Sequence, residues 1–466
     1  MAKLNFDTYL SPFSWRYGTD EMRRIWSEVN RRKVWRKVWV ELAKAQNKAG
    51  LVSKEELNDI IAHQNNIDIE RAHEIEKEIY HDVMAEIKTY SEQCKVGGGK
   101  IHLGATSTDI IDNAEIFQIK QAVGLTKKNL KELLKNFAGQ IKKHQDVVCM
   151  GYTHLQPAEP TTIGYRLTLY AQDLLWDLEF LEKIEPFVKG KGIKGAVGTA
   201  ASYENLLGDK KIDAFYLEKE IMDGLNLEPV DVSGQTYPRK IDLLIMEALA
   251  NIAASLHKFN FDLRIMQSPN FGEWSEPRSA KRVGSSAMPF KKNPDKAEKV
   301  CSLCRLVESY LNTAWGNPAM SLLERTLDDS ANRRTFLPEG FLAIDECIKT
   351  TNSIIKDFVV FEKVVNVNLQ KYGIFSCTES LMMELVKKGA NRQEMHEVIR
   401  ENSMLAWENV SQGKENNLIE LLKKDKRIIK FVSAEKVKDF FDPSKHIGNT
   451  KERTKRFLEK LNKAAF

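Results

Sequence analysis

The chain has 466 residues, of which 42% are hydrophobic and 29% charged, a balance that excludes disorder and requires more than one compact core. Its net charge of +5 is too mild to mark a nucleic-acid binder. No run approaches the ~18 apolar residues of a membrane span, and the start, Met1-Ala2-Lys3-Leu4-Asn5-Phe6-Asp7, lacks the apolar centre of a signal peptide, so no membrane association and a cytoplasmic location are expected.

In chain order the sequence predicts an all-α protein. Residues 1–19 are irregular, and Thr19 can cap a helix with Met22, Ile25, Trp26, Val29, Trp35, Val38, Trp39 and Leu42 on its apolar face. The basic run Arg31-Arg32-Lys33 with Arg36 and Lys37 interleaves with apolar residues at helical spacing. It reads as a solvated face opposite a buried one, in preference to a nucleic-acid patch. Ser53 and Glu56 have capping-box spacing, and shorter helices follow near 69–78 and 82–94. Gly97-Gly98-Gly99-Lys100 is not a P-loop, because Cys94 stands where the first Gly is needed and no Ser or Thr follows the Lys.

Five long helices come next. One is expected from about Asp112 to Gln145, and the others begin near Pro160, Pro238, Pro294 and Pro338. Such lengths suggest an extended bundle whose leftover apolar stripes pack against further copies of the chain. Gly190-Lys191-Gly192-Ile193-Lys194-Gly195 matches G-x-G-x-x-G but follows a helix and not a strand, so it reads as a flexible connector. After residue 362 the helices shorten, which gives three expected helical domains, 1–111, 112–361 and 362–466, the second being the central long-helix bundle. The six cysteines are scattered and imply no disulfide framework, and Cys301-x-x-Cys304 has no second pair to complete a zinc site.

Long helices offer chemistry mainly at their ends. The most distinctive interhelical stretch is Gly284-Ser285-Ser286-Ala287-Met288-Pro289-Phe290-Lys291-Lys292-Asn293-Pro294. Asn293-Pro294 is a helix-start signal, and a helix N-terminus beside two lysines and two hydroxyls is suited to meet an anion. Four other polar segments stand out: Tyr80–Asp82, His102–Asp109, Gly151–Pro157 and Leu323–Arg334. Read alone, Thr108, Asp109 and Asp329 are helix caps, and Arg16 and Arg325/Arg333/Arg334 either neutralise a phosphate or make ion pairs. The nine histidines show no metal-ligand spacing and no accompanying carboxylate cluster, and no G-x-S-x-G elbow is present.

Together these segments resemble the fumarase/aspartase superfamily over nearly the full chain. The 284–294 stretch looks like its signature loop, and Thr153-His154 matches its second conserved region. Within the superfamily the chain is most similar to the adenylosuccinate lyase family, through Ser14-Trp15-Arg16-Tyr17, Gly234-Gln235-Thr236-Tyr237 and Glu324–Arg334. Lys291-Lys292-Asn293-Pro294-Asp295 is also typical of argininosuccinate lyases, the alternative, but those carry an Arg-Ser-Arg-Asn-type segment where this chain has Thr106-Ser107-Thr108-Asp109. The resemblance implies β-elimination of fumarate from adenylosuccinate and from the succinylcarboxamide imidazole ribotide SAICAR, with no metal or redox cofactor. By matching position, Ser285 would be the general base and His154 the general acid. Thr106, Ser107, Lys291 and Asn293 would hold the succinyl carboxylates. Arg16, Tyr17, Arg325, Ser330 and Arg334 would hold the nucleotide, chiefly its phosphate, and His81, Asp82, Thr153 and Gln235 would line the site. The resemblance also implies a homotetramer whose active sites are shared between subunits.

Overall fold

The computed structural model describes residues 6–279 and 286–465. The all-α expectation holds, with two short antiparallel strand pairs added. The chain opens with α1 (Asp20–Ile25), α2 (Glu28–Lys48), α3 (Lys54–His63), α4 (Ile69–Ile79) and α5 (Asp82–Gln93). The first expected helix is therefore two: Ser27 accepts from the Asn30 N–H at 3.3 Å and recaps the chain after a break at Trp26. The capping box at Ser53 and Glu56 forms as its spacing predicts.

The long helices are α6 (Ser107–Lys143) and, after the hairpin β1 (Val148–Thr153) and β2 (Gln156–Thr162), α7 (Ile163–Ile184). Short α8 (Ala201–Leu207) and α9 (Ala214–Leu225) precede α10 (Lys240–Gln267), α11 (Asp295–Ala319) and α12 (Asp328–Lys356). Along one side of α6, Ile116, Ile119, Val123, Leu130, Leu133, Phe137 and Ile141 are all buried. Two boundaries differ from expectation. The α6 helix starts earlier, because the Asp109 carboxylate accepts from the Thr106 N–H at 3.0 Å and draws the preceding turn into the helix. The α12 helix starts ten residues before Pro338, which lies inside it. Proline there removes one backbone bond, but Phe336, Leu337, Phe341 and Leu342 are buried on both sides of it and hold the helix to its neighbours.

The chain separates into two compact units. The first contains Met1–Leu130, Trp176–Ala254 and Ser302–Lys349; the second contains Lys131–Leu175, Ser255–Cys301 and Thr350–Phe466. Each division falls inside a long helix, so both units take part of all five.

In the first unit the basic run of α2 is not a solvated face. Arg32 and Arg36 are fully buried and converge on the buried Glu86, at 2.8 and 2.7 Å. Arg36 also donates to the carbonyls of His63 and Asn66. Periodicity could not reveal this, because the compensating carboxylate lies 50 residues or more away. In the second unit α13 (Glu362–Ser376) packs on both hairpin strands, and the helices α14 (Thr378–Lys387) and α15 (Arg392–Ser411) share a separate apolar core with Leu418, Leu422 and Val437. No helix among the described residues is long and apolar enough to cross a membrane.

Candidate active site

The first unit carries a pocket walled by arginines. A cleft of about 540 Å³ is lined by Ser14, Arg31, Glu115, Arg333 and Arg334. A tighter pocket of about 50 Å³ shares its last four residues and adds Asp82, Arg325 and Ser330. Ser330 and Arg334 stand on the first two turns of α12, because that helix begins at Asp328.

Beneath them lies a buried charge network. Arg333 donates Nε to Asp242 at 2.7 Å and Nη2 to Glu115 at 2.7 Å. Arg239 donates Nε to Asp329 at 2.6 Å and grips Asp112 with both terminal nitrogens, at 3.2 and 3.4 Å. Asp112 in turn accepts the Tyr237 N–H at 2.8 Å, and Asp329 pairs with Arg325 at 3.4 Å. One backbone bond, Gln235 N–H to the Glu324 carbonyl at 3.0 Å, ties the same two loops directly. Burial pushes the Asp112 carboxyl up, whereas at Glu115 the guanidiniums of Arg333 and Arg239 outweigh burial and hold the carboxyl below its ordinary value. The network fixes Gln235, Arg325 and Ser330 relative to one another.

The carboxylate of Asp109 is a second organising point, and it does more than cap a helix. One oxygen receives Lys191 Nζ at 2.5 Å and the N–H groups of Lys194 and Gly195 at 3.2 and 3.1 Å. The other receives the Tyr203 hydroxyl at 3.1 Å and the Thr106 N–H at 3.0 Å. Gly190–Gly195 is thus buried and pinned, not the flexible connector its composition suggests. Gly192 is needed there: its φ is +82°, and a Cβ would lie 2.2 Å from a Glu218 oxygen. Thr106 and Ser107, at the start of α6, inherit their position from this cluster. Next to them, His102 Nδ1 accepts from the Trp39 indole at 3.0 Å, which leaves the proton on Nε2. Burial pushes the His102 imidazole down to about 4, so it is a neutral donor at physiological pH.

Other residues expected here take different positions. His81 caps α5, its Nδ1 accepting from the Met84 N–H at 3.3 Å, and is about half exposed. Arg16 is exposed, with its guanidinium 5.7 Å from the Trp15 ring centre and 5.9 Å from that of Tyr17. Neither Arg16 nor Tyr17 lines the arginine pocket.

The second unit carries Thr153, His154, Lys291 and Asn293. Thr153 pairs with Gln156 across the hairpin, which makes His154 and Leu155 its two-residue turn. Both have positive φ, 53° and 58°. A two-residue hairpin turn demands that conformation, usually from Asn or Gly, so His154 is held at a conformational cost of the kind found at functional sites. It lines a cleft of about 390 Å³ with Tyr152, Arg166 and Lys258. The hairpin is anchored by Ser376 Oγ donating to the Ala158 carbonyl at 2.5 Å and by Arg166 donating to the Met150 carbonyl.

At the signature loop, Ser285 and Gly284 lie outside the described residues. Lys291 is exposed and Asn293 half-buried, with the Asn293 carbonyl accepting from Arg278 at 2.7 Å. The helix start expected to meet an outside anion already receives an internal one: a Glu276 carboxylate oxygen accepts the Ala297 N–H at 2.6 Å, in the first turn of α11. Histidines that looked isolated also meet carboxylates in space, in Asp59/His63/Cys94 and in Glu159/Glu379/His446. In the first, Asp59 is committed to the N–H groups of Val96 and Gly97, at 2.7 and 2.8 Å.

Comparison with known proteins decides the family. Residues 15–308 match the model of the Lyase family, and residues 375–457 match that of the adenylosuccinate lyase C-terminus. The chain is 37% identical to the adenylosuccinate lyase of Saccharomyces cerevisiae, over 98% of this chain and 95% of the yeast protein. It is also 37% identical to that of Pyrococcus abyssi, over 95% of each.

The chain belongs to the adenylosuccinate lyase family.

Among solved structures, a 3-carboxy-cis,cis-muconate lactonizing enzyme from Pseudomonas putida superposes with a TM-score of 0.86 at 22% identity, covering 97% of this chain and 99% of that one, which establishes the shared fold. Sequence reading of this family member missed Arg31, Glu115 and Arg239, which wall or brace the arginine pocket. Arg31 and Arg239 are ordinary members of helix or helix-start patterns, and only the fold turns them towards Asp82 and Asp329.

Proposed function

We propose that this chain is an adenylosuccinate lyase that releases fumarate from adenylosuccinate, leaving AMP, and from SAICAR, leaving the carboxamide ribotide AICAR, in purine nucleotide biosynthesis. The observation that carries this reading is the full-length likeness to adenylosuccinate lyases, continued into the matching C-terminal segment. The arginine pocket agrees with it, since guanidinium forks suit a nucleotide phosphate.

In this reading Ser285 removes the proton beside a succinyl carboxylate, the electron pair forms the new C=C bond, the C–N bond breaks, and His154 protonates the departing nitrogen. Thr106, Ser107, Lys291 and Asn293 hold the carboxylates and stabilise the charge that develops on them. Arg325, Ser330 and Arg334 hold the phosphate, together with Arg16 and Tyr17 from the N-terminal segment. His81, Asp82, Thr153 and Gln235 complete the lining. The assembly is a cytoplasmic homotetramer with shared sites. Leu169, Trp176, Phe261 and Trp315 stand exposed on the long helices, as an interface between copies requires.

The test is to assay fumarate after incubating the purified protein with adenylosuccinate, SAICAR and argininosuccinate in turn. Release from the first two alone is expected. Release from argininosuccinate alone would move the chain to the alternative specificity.

A further inference from the structure

The basic run of α2 has no place in the reaction described so far, and its members part company in the structure. Arg32 and Arg36 turn inward to Glu86. Arg31 turns to the pocket, where it lines both the larger cleft and the tighter pocket alongside Arg334. Its guanidinium lies 4.9 Å from the centre of the Trp35 ring, a stacking contact that limits its freedom. Its ion pairs are long, 3.5 Å to Glu28 and 3.7 Å to Asp82, beyond direct hydrogen-bond range. Its Nε is buried and has no hydrogen-bond partner among the described residues. Arg32, one residue on, shows what a satisfied guanidinium looks like here, with bonds of 3.0 and 2.8 Å. Arg31 is therefore a cation held in place with most of its donors unused.

The oxygen that Arg31 faces, Asp82 Oδ2, is the one that receives Arg334 Nη2 at 2.8 Å. A single carboxylate oxygen sits between two guanidiniums. Burial opposes its charge, but Arg334, the Val83 N–H and Arg31 together hold the Asp82 carboxyl below the ordinary carboxylate range.

We propose that Arg31 is a further phosphate-binding residue of the nucleotide site, forming with Arg334 a two-armed clamp that rests on Asp82 when no nucleotide is bound. The inference rests on the lyase reading above. A carboxylate and a phosphate present the same planar pair of acceptors to a guanidinium fork, but the phosphate adds a third oxygen and a second negative charge. It therefore displaces Asp82 and takes up the unused donors of Arg31.

The experiment uses the full-length protein with Arg31→Gln and Arg31→Lys substitutions. AMP affinity is measured by calorimetry, inorganic phosphate is the competitor, and steady-state kinetics are run with adenylosuccinate. Loss of one charge-assisted phosphate contact in Arg31→Gln is expected to weaken AMP binding about 10- to 100-fold and to raise KM for adenylosuccinate similarly, with kcat changed less than about threefold. Inorganic phosphate should compete with AMP less well in the variant by about the same factor. Arg31→Lys, which keeps the charge and loses the fork, should recover part of the affinity and serves as the test should the Gln variant fail to fold. Unchanged AMP affinity in a folded variant, or a fall in kcat with KM intact, would overturn the clamp and leave the lyase reading standing. A wild-type protein that neither binds AMP nor releases fumarate would overturn both.

Discussion

At the scale of the residue, the site depends on side chains whose protonation state is set by their surroundings. His102 is the clearest case. Its folded value, about 4, lies below the ordinary 6.5, because burial disfavours the imidazolium. The unfolded chain therefore takes up a proton at His102 as pH falls through 6.5, while the folded chain does not until about 4. Stability should be unaffected by this residue above pH 7 and should decline between about 6.5 and 4, by about 3 kcal/mol at the acid end. Denaturant melts of the wild type and His102→Asn across that range would check it, since the variant should lack this component of the slope. His102 was legible only as a polar loop residue: its burial, and its contact with the Trp39 indole 63 positions away, arise only in the fold.

At the scale of the element, two local devices position the proposed chemistry. The His154 hairpin closes tightly because Gly151 lets the strands approach: a Cβ there would sit 2.4 Å from the Glu159 carbonyl oxygen. Gly151→Ala should displace the turn, and a displacement of about 1 Å is enough to lower kcat about a hundredfold. AMP affinity should stay unchanged, because the arginine pocket belongs to other segments. Equal losses in kcat and AMP affinity would show instead a general unfolding. Asp109 is the second device. Asp109→Asn leaves the buried Lys191 cation without its partner and should cost about 3–5 kcal/mol in thermal or denaturant stability.

These elements also show how far the sequence could be read. The capping box at Ser53 was legible because its two partners are three residues apart. The hairpin was not, because His154 and Leu155 occupy a turn that composition assigns to Asn and Gly. The pinning of Gly190–Gly195 was hidden for a related reason: glycine and lysine look solvent-loving until a buried carboxylate some 80 positions away is known. Pro338 misled in the opposite sense, as a strong local stop overridden by tertiary burial of its neighbours.

At the scale of the whole molecule, the long helices carry exposed aromatic and aliphatic side chains, and the proposed site residues fall into separate groups along the chain. Both features fit a site completed by other copies of the chain. Dilution should therefore abolish fumarate release in step with dissociation. Sedimentation and activity measured over the same concentration series should show the same midpoint, whereas a fully active monomer would remove the shared-site proposal. The fold class was legible at this scale because apolar periodicity in α6, α7 and α10 runs over many turns, and such signals survive single irregularities. The assignment of Ser285 came through the family resemblance alone.

The central claim, that this chain releases fumarate with Ser285 as its base, is tested most directly by one assay. Fumarate release from adenylosuccinate is followed with purified wild-type and Ser285→Ala proteins side by side. The wild type should give fumarate and AMP in equal amounts, and the variant should be slower by about a thousandfold or more while still binding AMP. Equal rates from the two proteins, or no fumarate from the wild type, would contradict the claim.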